Sequence, residues 1–308
     1  MIRFPHRALV TAAGCLLATS SLRAAGEQPI ATGLSTVVRK DVNFALFVPP
    51  DLAGDHGPAG IFVFFGGKND SIEMYQQSLA TVAQTMDLIL IVPQMPWFAD
   101  PGKVPEAGVI RALEQLVPEI EKQFHTTSSL IVVGGASAGG PIAAQLANKW
   151  SAKVALLVLA STPVQPDARK KTLHVVAASE SELLGPDAKR APILGKGKKD
   201  IFAIPGGHHT AQVEYLQPWL ETEVTALRLD LASQTTQAAS QALMQRNSAK
   251  AEAILNSTHM GTLILSTQVP GTNSFYEYEN ARRKALVKKY EAPTQSVDKL
   301  REKIAAQK

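Results

Sequence analysis

Ser129-Leu130-Ile131-Val132-Val133-Gly134-Gly135-Ala136-Ser137-Ala138-Gly139-Gly140 is the stretch on which the reading of this 308-residue chain turns. A strand-sized apolar run passes into a G-x-S-x-G pattern at Gly135, Ser137 and Gly139, and then into Pro141 to Trp150, which has helical spacing. A serine held on a sharp strand-to-helix turn needs neighbours without bulk, and Gly135, Ala136, Ala138 and Gly139 are all small. Ser137 then projects above the sheet as a nucleophile, and the Ala138 N–H, at the helix N-terminus, points to where an oxyanion would develop. A Gly-rich nucleotide-binding turn would instead need G-x-G spacing and a carboxylate ending the next strand. Gly134 to Gly139 lacks that spacing, and the next strand ends in Ala160-Ser161-Thr162.

Outward from this turn, short apolar runs alternate with helical patterns from Asn43 to Pro205. The expected strands are Phe44 to Val48, Ile61 to Phe65, Leu88 to Val92, Leu130 to Gly134, Val154 to Ala160, Leu173 to Ala178 and Ile201 to Ile204. Helical spacing falls at Met74 to Thr85, Ala107 to Gln123, Gly140 to Trp150 and Asp187 to Leu194. Runs apolar throughout suit strands covered by helices on both faces, which predicts an α/β fold with a doubly wound, mostly parallel sheet. Ligands bind such sheets outside the carboxyl ends of the strands, so the loops after Phe65, Val92, Gly134, Ala160, Ala178 and Ile204 are the ones to search. After Pro205 the spacing predicts a closing helix over Ala211 to Leu229 and a second, with a thin apolar stripe, over Ser233 to Ile254. Gly261 to Val269 reads as a strand or crossing segment, and Tyr276 to the end as a helix. The basic run Arg282, Arg283, Lys284, Lys288 and Lys289 reads as a solvated face. The expected division is 1–25 leader, 26–230 α/β domain and 231–308 C-terminal helical appendage.

Composition sets the limits. With 45% hydrophobic and 19% charged residues the chain is neither disordered nor fibrous. Arg3 and Arg7 precede an apolar run, Ala8 to Ala18, too short to span a bilayer, and Leu22-Arg23-Ala24 suits cleavage, which predicts a signal peptide and a secreted or periplasmic protein. Removing its three arginines lowers the net charge from +4 to +1, so charge gives no support to nucleic-acid binding. The one cysteine, Cys15, lies inside this leader in a context poor for lipidation, and the mature chain must fold without disulfides. No later run reaches membrane-spanning length.

Together Gly135-Ala136-Ser137-Ala138-Gly139 and Ile204-Pro205-Gly206-Gly207-His208 resemble the α/β-hydrolase superfamily, in its secreted esterase-like branch, over roughly Asn43 to Glu221. The resemblance implies nucleophile, acid and histidine in that chain order. His208 or His209 would be the base that a weakly nucleophilic hydroxyl requires, and both follow the last strand. The family's P-G-G-H phrasing favours His208; a P-G-x-G-H phrasing favours His209. The acid should follow Leu173 to Ala178, where the chain offers Glu180 and Glu182 in place of the usual Asp; Glu180 fits first, and Asp187 and Asp167 are reserves. The family's loop after Ile61 to Phe65, here Gly66-Gly67-Lys68-Asn69-Asp70, would supply the second oxyanion donor from Gly67 or Lys68. Gln94 to Phe98 would bring apolar and aromatic surface to the same rim. His125 and His174 lie on the wrong elements and read as surface or packing histidines.

The expected activity is therefore ester hydrolysis without a cofactor, on a small-molecule or polymer-attached ester, with the C-terminal helices as a surface for a homodimer. A non-catalytic scaffold of the same fold and a peptidase are the rival readings. The peptidase would need a pocket for a substrate N-terminus or a large gating domain, and no segment supplies the latter.

Overall fold

Six runs of β-branched and apolar residues, each too short for a stable helix, become the parallel centre of a nine-stranded sheet. A computed structural model describes residues 29–53, 60–68, 70–95, 105–126, 130–162, 171–177, 193–194, 199–204, 213–256 and 274–306. The strands are β1 (Gly33–Arg39), β2 (Val42–Val48), β3 (Gly60–Phe65), β4 (Leu88–Pro93), β5 (Ile131–Ala136), β6 (Val154–Ala160), β7 (Lys171–Ala177), β8 (Ile193–Leu194) and β9 (Lys199–Ile204). They lie in the order β1-β2-β4-β3-β5-β6-β7-β9-β8, with β1, β2 and β8 antiparallel to their neighbours. The helices are α1 (Ile72–Thr85), α2 (Pro105–Phe124), α3 (Gly139–Lys149), α4 (Val213–Met244), α5 (Ser248–Asn256) and α6 (Ser274–Ala305).

Alternation along the central strands divides the interior in two. Phe62 and Phe64 face α1, α4 and the start of α6, packing with Tyr75, Leu79, Trp219, Phe275 and Tyr276. Ile61, Val63 and Phe65 face α2 and α3, packing with Leu113, Leu116, Ile142 and Leu146. Both layers are fully buried, which is why these strands read as unbroken apolar runs rather than alternating ones. A third, smaller cluster joins the ends of the C-terminal helices through Ala239, Ala242, Ala251, Leu255, Leu300 and Ile304.

Three expectations need correction. The helix expected over Asp187 to Leu194 is not one throughout: Ile193–Leu194 is a short edge strand paired with Ile201 and Asp200, while 187–192 lie outside the described residues. Ala211–Leu229 and Ser233–Ile254 are not two separate helices, because α4 runs unbroken from Val213 to Met244 and the break comes at Gln245–Asn247. The basic run on α6 is not uniformly solvated. Arg283 is 1% exposed and donates to Thr222 Oγ1 at 3.1 Å, the Pro218 carbonyl at 2.9 Å and Glu221 at 2.6 Å. Arg282 pairs with Glu223 and Glu279. The leader, Cys15 and Gly261 to Val269 lie outside the described residues.

Two polar side chains fix the periphery. Gln123, at the end of α2, accepts from the Ile30 N–H at 2.9 Å and donates to the Ile30 carbonyl at 2.7 Å, pairing with the backbone as a strand would. Arg228, on α4, donates to the Met86 carbonyl at 2.5 Å at the end of α1; burial pushes its pKa down, partly offset by Asp87.

Candidate active site

Ser137 sits at the carboxyl end of β5 with φ +48°, a left-handed conformation that costs a non-glycine residue roughly 1–3 kcal/mol. Two backbone hydrogen bonds hold it there: its N–H donates to the Ala160 carbonyl at 2.8 Å, and its carbonyl accepts from the Gly140 N–H at 3.1 Å. The turn is possible because its neighbours are glycines. A Cβ on Gly135 would stand 2.5 Å from the Gly139 carbonyl oxygen, and one on Gly139 would collide with the carbonyls of Phe65 and Gly66. Helix α3 therefore closes directly onto the end of β3 and β5, leaving Ser137 partly exposed above the sheet. Ala138 takes helical angles at the start of α3, so its N–H belongs to the positive end of the helix dipole.

The loop after β3 reaches the same place. Gly66 and Gly67 are buried, and the position of a Cβ on Gly67 lies 3.4 Å from the Ser137 Cβ and 2.5 Å from Asp70 Oδ2. The Gly67 N–H donates to the Tyr75 hydroxyl at 3.3 Å, Tyr75 in turn donates to Asp70 Oδ2 at 2.7 Å, and Asp70 N–H donates to the Gly67 carbonyl at 3.3 Å. Lys68 is exposed on this turn. The sequence places Asp70 in this loop but gives no sign of its link to Tyr75, since nothing but a spacing of five residues at the start of a helix relates them.

Next along the edge, Ser161 follows β6, also left-handed at φ +47°, and its N–H donates to the Val175 carbonyl at 2.8 Å. His174, on β7, is 1% exposed and its Nε2 lies 2.9 Å from the Thr162 carbonyl, a packing role beneath the edge. His125 is exposed at the turn after α2. Of the expected rim, Met95 is buried against the α2–α3 layer, Gln94 bonds to Asn43 at 2.5 Å, and Trp97 and Phe98 lie outside the described residues. Glu180, Glu182, Asp187, Asp167, His208 and His209 also lie outside them. The strands that lead toward the acid and base candidates are described: Ala136 pairs with Ala160, Ala160 with Val175, and Ala177 with Ile204. Among the described residues no group of three His, Cys, Asp or Glu side chains is placed to hold a metal ion, and no helix is long and apolar enough to cross a membrane.

A mixed sheet in this order, with a serine on the sharp turn between β5 and α3, defines an α/β-hydrolase fold. Neither a family model nor a curated protein sequence matches the chain. Solved structures similar to it include the Francisella virulence factor BioJ, 13% identical over 57% of this chain and 75% of that one, with a TM-score of 0.44. A serine hydrolase without lid from Xanthomonas campestris is 13% identical over 58% and 87%, at 0.41, and the metagenomic carboxylesterase EstE1 14% identical over 60% and 82%, at 0.44. The fold is read from the strand order above, and the chemistry below rests on this chain's own residues.

Proposed function

We propose that this protein is an exported serine hydrolase that cleaves carboxylic esters through an acyl-enzyme. The observation that carries the reading is Ser137, held at φ +48° on the β5–α3 turn with Gly67 packed beside it. Connecting turns such as Lys40-Asp41 share the positive φ; what suits Ser137 to a projecting nucleophile is that the glycines at 135 and 139 let α3 close onto β3 and β5 and that Gly67 packs against its Cβ.

In this reading the Ser137 hydroxyl attacks the ester carbonyl while His208 takes its proton, Glu180 orients the imidazole, and the Ala138 N–H faces the tetrahedral oxyanion together with the N–H of Lys68, since that of Gly67 is already donated to Tyr75. Collapse releases the alcohol with the proton from His208, and water then repeats the sequence to free the acid. His209, Glu182 and Asp187 are the alternates for base and acid. The strand register favours the assignment, because segments leaving β7 and β9 start from neighbouring strands on the edge that holds Ser137. The leader of residues 1–25 directs export, residues 231–308 form a helical extension with a structural role, and a homodimer through those helices is the assembly to examine by light scattering.

A fluorophosphonate probe tests the reading. Mature protein should label stoichiometrically, and Ser137→Ala should abolish both labelling and hydrolysis of a short-chain aryl ester while remaining folded. Residual turnover above about one part in 10³ would sink Ser137 as nucleophile, since loss of an activated serine costs about 10⁴ or more. No labelling of the native protein would favour a binding scaffold.

A further inference from the structure

Tyr75 is 2% exposed on the first turn of α1, with its ring against Gly66 and 5.1 Å from that of Phe64. Side chains on a helix lean toward its N-terminus, so from this position the ring reaches back under the loop that precedes the helix. Its hydroxyl accepts from Gly67 N–H and donates to Asp70, whose own N–H closes the turn onto the Gly67 carbonyl. Ser71 caps the same helix, its Oγ accepting from Met74 N–H at 3.1 Å, so the ring of bonds is anchored on a fixed helix end. The ring fills the space beneath Gly66, and the hydroxyl adds the two polar contacts to Gly67 and Asp70.

We propose that Tyr75 and Asp70 are positioning residues for the oxyanion loop, a pair that holds the Gly67 N–H beneath the loop and fixes Gly66 and Gly67 against Ser137, so that the next amide, that of Lys68, meets the developing negative charge without moving. The proposal rests on the serine-hydrolase reading. Preorganised donors stabilise a transition state because their orientation is set before charge develops, and a glycine pair without such a brace would lose that advantage. Asp70 acts through Tyr75: as acceptor of the phenol proton it turns the hydroxyl's lone pair toward Gly67 N–H.

The test uses the mature protein with Tyr75→Phe, Asp70→Ala and Asp70→Asn. Tyr75→Phe keeps the ring packing and should lower kcat on an aryl ester about tenfold or more with KM within about twofold, since the lost effect belongs to the transition state. Hydrogen exchange of the Gly66–Asp70 amides should quicken in the same variant with the melting temperature nearly unchanged. Asp70→Ala should reproduce both effects, and Asp70→Asn, which retains an acceptor oxygen, should restore most of kcat. Native kcat and native exchange in Tyr75→Phe, in an enzyme that labels at Ser137, would overturn the positioning role alone. Failure of the native protein to label at Ser137 would overturn the hydrolase reading and this proposal with it.

Discussion

Ser137 occupies a backbone conformation that favours glycine, so the catalytic proposal carries a cost in stability that can be measured. Ser137→Gly should be about 1 kcal/mol more stable than Ser137→Ala in urea denaturation, because alanine keeps the left-handed strain and glycine relieves it. Equal midpoints would show that the turn is not strained. Gly139→Ala should destabilise by about 3 kcal/mol or fail to fold, since the new methyl meets backbone carbonyls that cannot retreat without parting α3 from β3. At this scale the sequence was readable where chemistry and sterics coincide: small residues around a serine leave few alternatives. The acid was not, because Glu180, Glu182 and Asp187 are all carboxylates close together in sequence, and nothing in their residue types says which of them meets the histidine. Tyr75 was missed for a related reason, as a tyrosine near a helix start reads first as core.

Among the elements, the parallel strands were legible because burial on both faces leaves a continuous apolar run. Strand β1 was not, since its face outside the layers shows Leu34, Thr36 and Val38 and its hairpin turn, Lys40-Asp41, lacks the usual Asn-Gly although both residues have positive φ. The join between α4 and α6 was concealed by charge. Pro218 sits inside α4, and its carbonyl accepts from both Thr222 and Arg283. Glu221 and Glu223 on α4 meet Arg283 and Arg282 on α6, with Lys171 of β7 at 3.4 Å from Glu223. Removing one partner of such a buried network leaves the others uncompensated, so Arg283→Ala should cost about 3–5 kcal/mol, read as a fall in the urea midpoint. A loss below about 1 kcal/mol would mean the network contributes little beyond its hydration.

For the whole molecule, the C-terminal helices pack onto the sheet: Tyr276 stacks on Tyr215 and Phe275 meets it edge-on, within the same layer that holds Phe62 and Trp219. Truncation after Ser233 should therefore uncover that layer, lowering the melting temperature by more than about 5 °C or causing aggregation, while any folded fraction keeps its reactive serine. A truncated protein that is soluble, equally stable and unchanged in mass but unreactive toward esters would assign the tail a place in the active site. The continuity of α4 past residue 230 could not be seen in advance, because its apolar stripe thins where the sheet ends and only the partner helices maintain it.

The pairing of Gln123 with the backbone of Ile30 also sets an orientation. Helix α2 runs back from the carboxyl edge of the sheet, so its last turn, and the Ile30 it grips, stand at the edge opposite Ser137. A fusion partner, an affinity bead or a surface joined ahead of Ile30 therefore has its attachment point on the edge opposite Ser137. Immobilised that way, the protein would keep the Ser137 turn on the side away from its support.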